Sequence, residues 1–216
     1  MRFVILIRIF GLAAASFDYR GRPTIDDLKK FYGVEKKMYV LRRSWSLQDD
    51  ESGTAPKCIW NEVESINNSQ MMFKEAYSIG LTVTNYFVHA KLKEGDGRDI
   101  APTMTARQGK SRSATTIKDK EEHVTEAPEL PQTRRYTFQY HDQREQCAVV
   151  TFYDGATRCQ LLFWKTQKHL TGSKKTRRTP LSLSGFHNCE REYNLLCPHA
   201  KAYEVYDDEC EKWFEG

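Results

Sequence analysis

Long apolar runs are missing from this chain of 216 residues, and nowhere do the roughly 18 apolar side chains needed for a membrane-spanning helix follow one another. No membrane association is therefore expected. Charge of one sign is equally scarce. Lys+Arg of 33 against Asp+Glu of 29 leaves only +4, too little to argue for nucleic acid. Basic residues do crowd two segments, Arg107 to Lys118 and Lys165 to Arg178, but no aromatic platform interleaves with them, and they read as solvated loops. No C-x-x-C pair occurs, which removes the usual zinc ribbons and fingers. G-x-S-x-G, H-E-x-x-H, Walker and dinucleotide fingerprints are absent too, and His89, His123, His141, His169, His187 and His199 are scattered. Neither a catalytic residue, a metal nor a cofactor is expected. What is present, 39% hydrophobic and 12% aromatic residues, excludes a disordered chain and fits a globular protein.

The chain opens with Arg2, continues through Phe3, Val4, Ile5, Leu6, Ile7, Ile9, Phe10 and Leu12, and reaches Ala13, Ala14 and Ala15. A basic start, an apolar stretch and small residues form a secretory signal pattern, so residues 1–15 are expected to be removed and residues 16–216 to form a single domain. Six cysteines follow: Cys58, Cys147, Cys159, Cys189, Cys197 and Cys210. An even number behind a signal implies disulfides, with 15 connectivities that spacing leaves open. Asn67 begins an Asn-Asn-Ser sequon, a glycosylation site if the protein is secreted.

Pro23, Thr24, Asp26 and Asp27 ahead of Leu28 and Phe31 predict a capped short helix. Beyond it the period becomes two. In Met38 to Leu47, alternation places Tyr39, Leu41, Arg43, Trp45 and Leu47 on one face and Met38, Val40, Arg42 and Ser44 on the other. Further strands are predicted at 58–66, 70–79, 81–92, 136–141, 147–153 and 159–166, while 93–135 reads as one or two edge strands with long loops. A second helix is predicted over 188–197 with Asn188 as its cap. Many strands and few helices favour an up-and-down barrel, whose interior at eight strands holds side chains or one small guest.

Read with their neighbours, KCIWNEV at Lys57 to Val63, QCAVVTFYD at Gln146 to Asp154, CQLLFWKTQ at Cys159 to Gln167, CEREYNLLC at Cys189 to Cys197 and YEVYDDEC at Tyr203 to Cys210 make the chain resemble the tick salivary lipocalins, which include the histamine-binding proteins. The resemblance implies an all-β fold, an eight-stranded antiparallel up-and-down lipocalin barrel with a short N-terminal helix and a C-terminal α-helix. It also implies Cys58 bridged to Cys210, Cys147 to Cys189 and Cys159 to Cys197. By that resemblance the protein is a secreted monomer sequestering a small mediator such as histamine or serotonin. Amine-binding members carry Asp after the late-strand cysteine and a Glu-Leu-Trp-like triplet on the next strand; here these are Ala148 and Leu162, Phe163, Trp164. Two alternatives stay open, a lipid carrier and a module that engages a host immune protein.

Because a buried cation needs carboxylates and aromatic faces, the candidate ligand residues are Glu62 and Glu75 with Tyr39, Trp45, Phe138, Tyr140, Leu162 and Trp164. Tyr136, Phe138 and Tyr140 alternate and are predicted to point inward together.

Overall fold

The computed structural model describes residues 22–33, 37–46, 55–97, 99–118, 121–126, 133–164, 185–207 and 210, so the predicted signal and the basic run after Trp164 lie outside the described residues. Thr24 caps helix α1 (Ile25–Tyr32) through a reciprocal capping box: its hydroxyl accepts from the Asp27 N–H at 3.2 Å, and the Asp27 carboxylate accepts from the Thr24 N–H at 2.9 Å. Leu28, Phe31 and Tyr32, at helical spacing, bury the face that plugs one end of the barrel.

The barrel wall is antiparallel throughout. Strands β1 (Met38–Arg43), β2 (Lys57–Ile66), β3 (Gln70–Ile79), β4 (Thr82–Lys93), β5 (Thr103–Lys118), β7 (Thr133–Asp142), β8 (Cys147–Tyr153) and β9 (Thr157–Trp164) pair in that order, and β1 pairs β9 to close the ring. Strand β6 (Glu121–Glu126) lies off this path against β5, and the two-residue β10 (Tyr203–Glu204) adds to β1. Ile79 pairs Thr82 across Gly80 and Leu81, and Gly80, at φ +57°, takes the left-handed conformation that so tight a hairpin requires. The region 93–135 departs from the sequence reading: β5 is a long interior strand, paired with β4 along one edge and with β7 and β6 along the other.

Alternation splits the wall between two cores. Met38, Val40, Phe73, Val88, Met104, Phe138, Ala148, Val150, Leu162 and Trp164 fill the inside. Tyr39, Leu41, Trp60, Val149, Leu161 and Phe163 form a second core outside, under helix α2 (His187–Leu196) and the C-terminal segment. All six cysteines belong to this outer core, bridged Cys58–Cys210, Cys147–Cys189 and Cys159–Cys197, the pairs the resemblance implies. Strands β8 and β9 are accordingly buried on both faces.

Two of the register shifts decide which way predicted site residues face. In β1, Val40 pairs Leu162 but Arg42 pairs Leu161, so one extra residue at Leu41 turns Arg42 outward and Arg43 inward opposite Gln160. Arg42 then meets Glu204 at 2.5 Å and Glu190 of α2 at 3.7 Å. Trp45 follows Arg43 inward and meets Phe152 edge-on at 4.8 Å, so the predicted grouping of Tyr39 with Arg43 and Trp45 is corrected. In β7 the shift falls between Phe138 and Tyr140, which sends Tyr140 outward opposite Val149 and brings His141 inward against Phe31, 5.4 Å between ring centroids. Tyr140 therefore parts company with Tyr136 and Phe138.

The cap of α2 also differs from expectation. Phe186 occupies the N-cap position and offers no side-chain bond; instead the Glu145 carboxylate, from the β7–β8 turn, accepts from the N–H groups of Asn188 at 2.9 Å and Cys189 at 3.3 Å. Asn188 serves differently, donating its amide to Asp142 at 2.8 Å. Asp142 also accepts from the Arg144 and Glu145 N–H groups at 2.8 and 3.0 Å. Burial pushes its carboxyl upward, but these hydrogen bonds outweigh it and hold the group below the ordinary carboxylate range.

Two outcomes follow. Replacing Cys58 and Cys210 together by Ser, which opens a link across 152 residues, is expected to lower unfolding free energy by about 4 to 5 kcal/mol in the chain-entropy limit, read as a fall in Tm; an unchanged Tm contradicts a stabilising role for that bridge. Because the folded Asp142 has the lowered pKa, its stabilisation is complete above the ordinary carboxyl value and disappears as pH falls below about 4. Asp142→Asn should flatten that acid limb in a series of thermal melts.

Candidate functional site

A polar cavity of about 70 Å³ lies within the barrel. Its centre is Glu75 on β3, flanked in register by Asn61 on β2 and Tyr86 on β4, so three neighbouring strands present one inward row. The Tyr86 hydroxyl donates to Glu75 Oε1. From the opposite wall Arg134 and Tyr136 on β7 reach the same space, with Arg134 Nη1 donating to the Tyr136 hydroxyl at 3.4 Å. The Arg134 guanidinium also lies 4.4 Å from the centroid of Phe152. Tyr32, from the plugging helix, closes the lining.

The electrostatics follow from these neighbours. Burial, reinforced by the charge of Glu75, pushes the phenols of Tyr86 and Tyr136 upward, and burial together with Tyr136 and Glu75 does the same to Tyr32. All three remain protonated donors at neutral pH. Burial works against the Arg134 cation, yet Tyr136, Glu75 and Tyr86 raise its pKa, so it stays charged. A carboxylate and a guanidinium thus share one cavity in which a buried charge without a partner would be costly.

The candidate residues divide between the two cores. Glu75 is central, and Leu162 lines the same cavity. Ala148 pairs Leu162, and both side chains are fully buried in the inner core. Phe138 and Trp164 pack on Phe31, each 5.7 Å between ring centroids, beneath the helical plug. Trp45 stands inside near Arg43, whose guanidinium is 5.9 Å from its ring; burial lowers the pKa of Arg43 to about 10. Three candidates face outward. Tyr39 packs on Phe163 and Tyr206 at 5.6 and 5.1 Å, Glu62 stands opposite Lys74, and Tyr140 has its phenol pushed up to about 12 by burial first and then by Asp142. Asn67 is exposed at the β2–β3 hairpin, where its Oδ1 accepts from Ser69 and Gln70 N–H groups at 3.0 and 2.8 Å.

Asn61, Tyr86 and Arg134 are site residues that sequence reasoning missed. Asn61 is a polar side chain alternating with apolar inward neighbours, Ile59 and Val63. That interruption of an apolar face was the available signal.

An eight-stranded closed barrel, plugged by one helix, stapled to a second and holding a small polar cavity, defines a lipocalin-like binding protein. The family model for tick histamine binding protein matches residues 23–212, and the chain belongs to that family. This is a family of binding proteins, not of enzymes. A comparison with curated proteins found no match.

Tyr86→Phe is expected to strip Glu75 of its hydroxyl donor and destabilise the fold by about 1 to 3 kcal/mol in urea titration. A loss well under this range contradicts a structural role for that hydrogen bond.

Proposed function

We propose that the protein is secreted and sequesters a small biogenic amine inside its barrel, removing a host inflammatory mediator at a tick feeding site. Glu75 is the counter-ion, Tyr32, Phe73, Tyr86 and Tyr136 supply the surrounding aromatic faces, and Arg134 lines the same cavity. The observation that carries this reading is a half-buried carboxylate set among aromatic side chains in the barrel cavity. A carboxylate in the lining weighs against a fatty acid, eicosanoid or sterol, although Ala148 and Leu162 leave the neighbouring wall apolar. Engagement of a host immune protein has no comparable feature in its favour. Residues 16–216 are proposed as the mature, monomeric domain.

Calorimetric titration of the refolded protein with histamine and serotonin tests the amine reading. Binding by the native protein is expected, with affinity at least ~10-fold lower in Glu75→Gln while the near-ultraviolet circular dichroism stays native. Equal affinity in both proteins, or no heat with either amine, overturns it. For the secreted form, Asn67 is expected to carry a glycan, seen as a mass loss on enzymatic deglycosylation that Asn67→Gln abolishes.

A further inference from the structure

Asn61 is about 93% buried, lines the barrel cavity and sits beside Glu75 in register, yet its carbonyl oxygen Oδ1 has no hydrogen-bond partner. A buried acceptor left unmade costs stability, and Asn61 stands in register between Met38 on one side and Glu75 on the other. Glu75 for its part already accepts from Tyr86 and shares its field with Arg134. A cation arriving with several N–H groups therefore finds one charged acceptor partly engaged and one neutral acceptor idle next to it.

We infer that Asn61 is a second ligand contact, and that the pair Asn61 and Glu75 makes the pocket selective for an ammonium bearing N–H donors over a fully N-methylated cation of the same charge. The inference rests on the amine reading above and deepens it. Glu75 attracts either cation through its charge and the aromatic walls favour both, while Glu75 accepts a hydrogen bond from the donor-bearing one alone. Asn61 Oδ1 widens that difference, because it too is satisfied only by a donor. Discrimination here arises from the acceptor that stays unpaired when the wrong ligand binds.

The test uses the native protein and Asn61→Leu, which conserves volume and removes the amide. Histamine and its side-chain N,N,N-trimethylammonium analogue are the probes, titrated calorimetrically. Asn61→Leu should melt at or above the native temperature, since an unsatisfied buried acceptor has been removed. Histamine affinity should fall roughly 10- to 100-fold in that variant, and the native preference for histamine over the trimethylated analogue should shrink by a similar factor. Unchanged histamine affinity in Asn61→Leu overturns the assignment while leaving the amine reading standing. A preference for histamine that is undiminished in Asn61→Leu assigns selectivity to Glu75 or to size instead and also overturns it. Failure of the native protein to bind either probe overturns this inference together with the reading beneath it.

Discussion

Strict inward-outward alternation along the barrel wall is the constraint on which the rest of the structure depends. Each strand supplies one row to the cavity side and one to the outside, and in β8, β9 and β1 both rows are buried. Nothing on those strands is free to change face without moving a neighbour between two packed cores. The single extra residue at Leu41 and the shift after Phe138 are therefore decisive, because they assign Arg42 to the helix side, Arg43 to the barrel and His141 to the space beneath α1. The cavity-facing surface is a product of register as much as of composition.

The outer core gives that register its rigidity. Helix α2 lies over β7, β8 and β9, held by the Cys147–Cys189 and Cys159–Cys197 bridges, while Cys58–Cys210 ties the C-terminal segment back to β2. Glu145 and Asp142 secure the N-terminus of the same helix by hydrogen bonds from a turn of the barrel itself. With the wall fixed from outside, the inside can hold Glu75 and Arg134 in a small space at modest reorganisation cost, the condition a preorganised binding site requires.

Much of the architecture was legible in the sequence. Alternation located the strands, Thr24 and Asp27 located α1, and the cysteine-bearing segments carried the resemblance that implied the barrel and its bridges. The region 93–135 was misread because its Gly, Thr, Ser and charged residues lack the apolar alternation of a half-buried strand, yet β5 pairs along both edges. The site was half visible. Glu75 and Leu162 follow from parity alone, but a β-bulge leaves no mark in composition, so Tyr39, Trp45 and Tyr140 were assigned to faces that two shifts rearranged. The cap of α2 escaped for a different reason: its acceptor, Glu145, is 43 residues away in sequence, whereas capping rules look only to the local chain.

The account turns on a cation held against a carboxylate inside this wall. A crystal structure of the protein grown with histamine measures that directly. The account predicts ligand density in the barrel with the ammonium nitrogen within hydrogen-bonding distance, roughly 2.7 to 3.2 Å, of a Glu75 oxygen. Histamine seated on the outer surface, or a barrel interior holding only water beside an intact Tyr86 to Glu75 hydrogen bond, would contradict it.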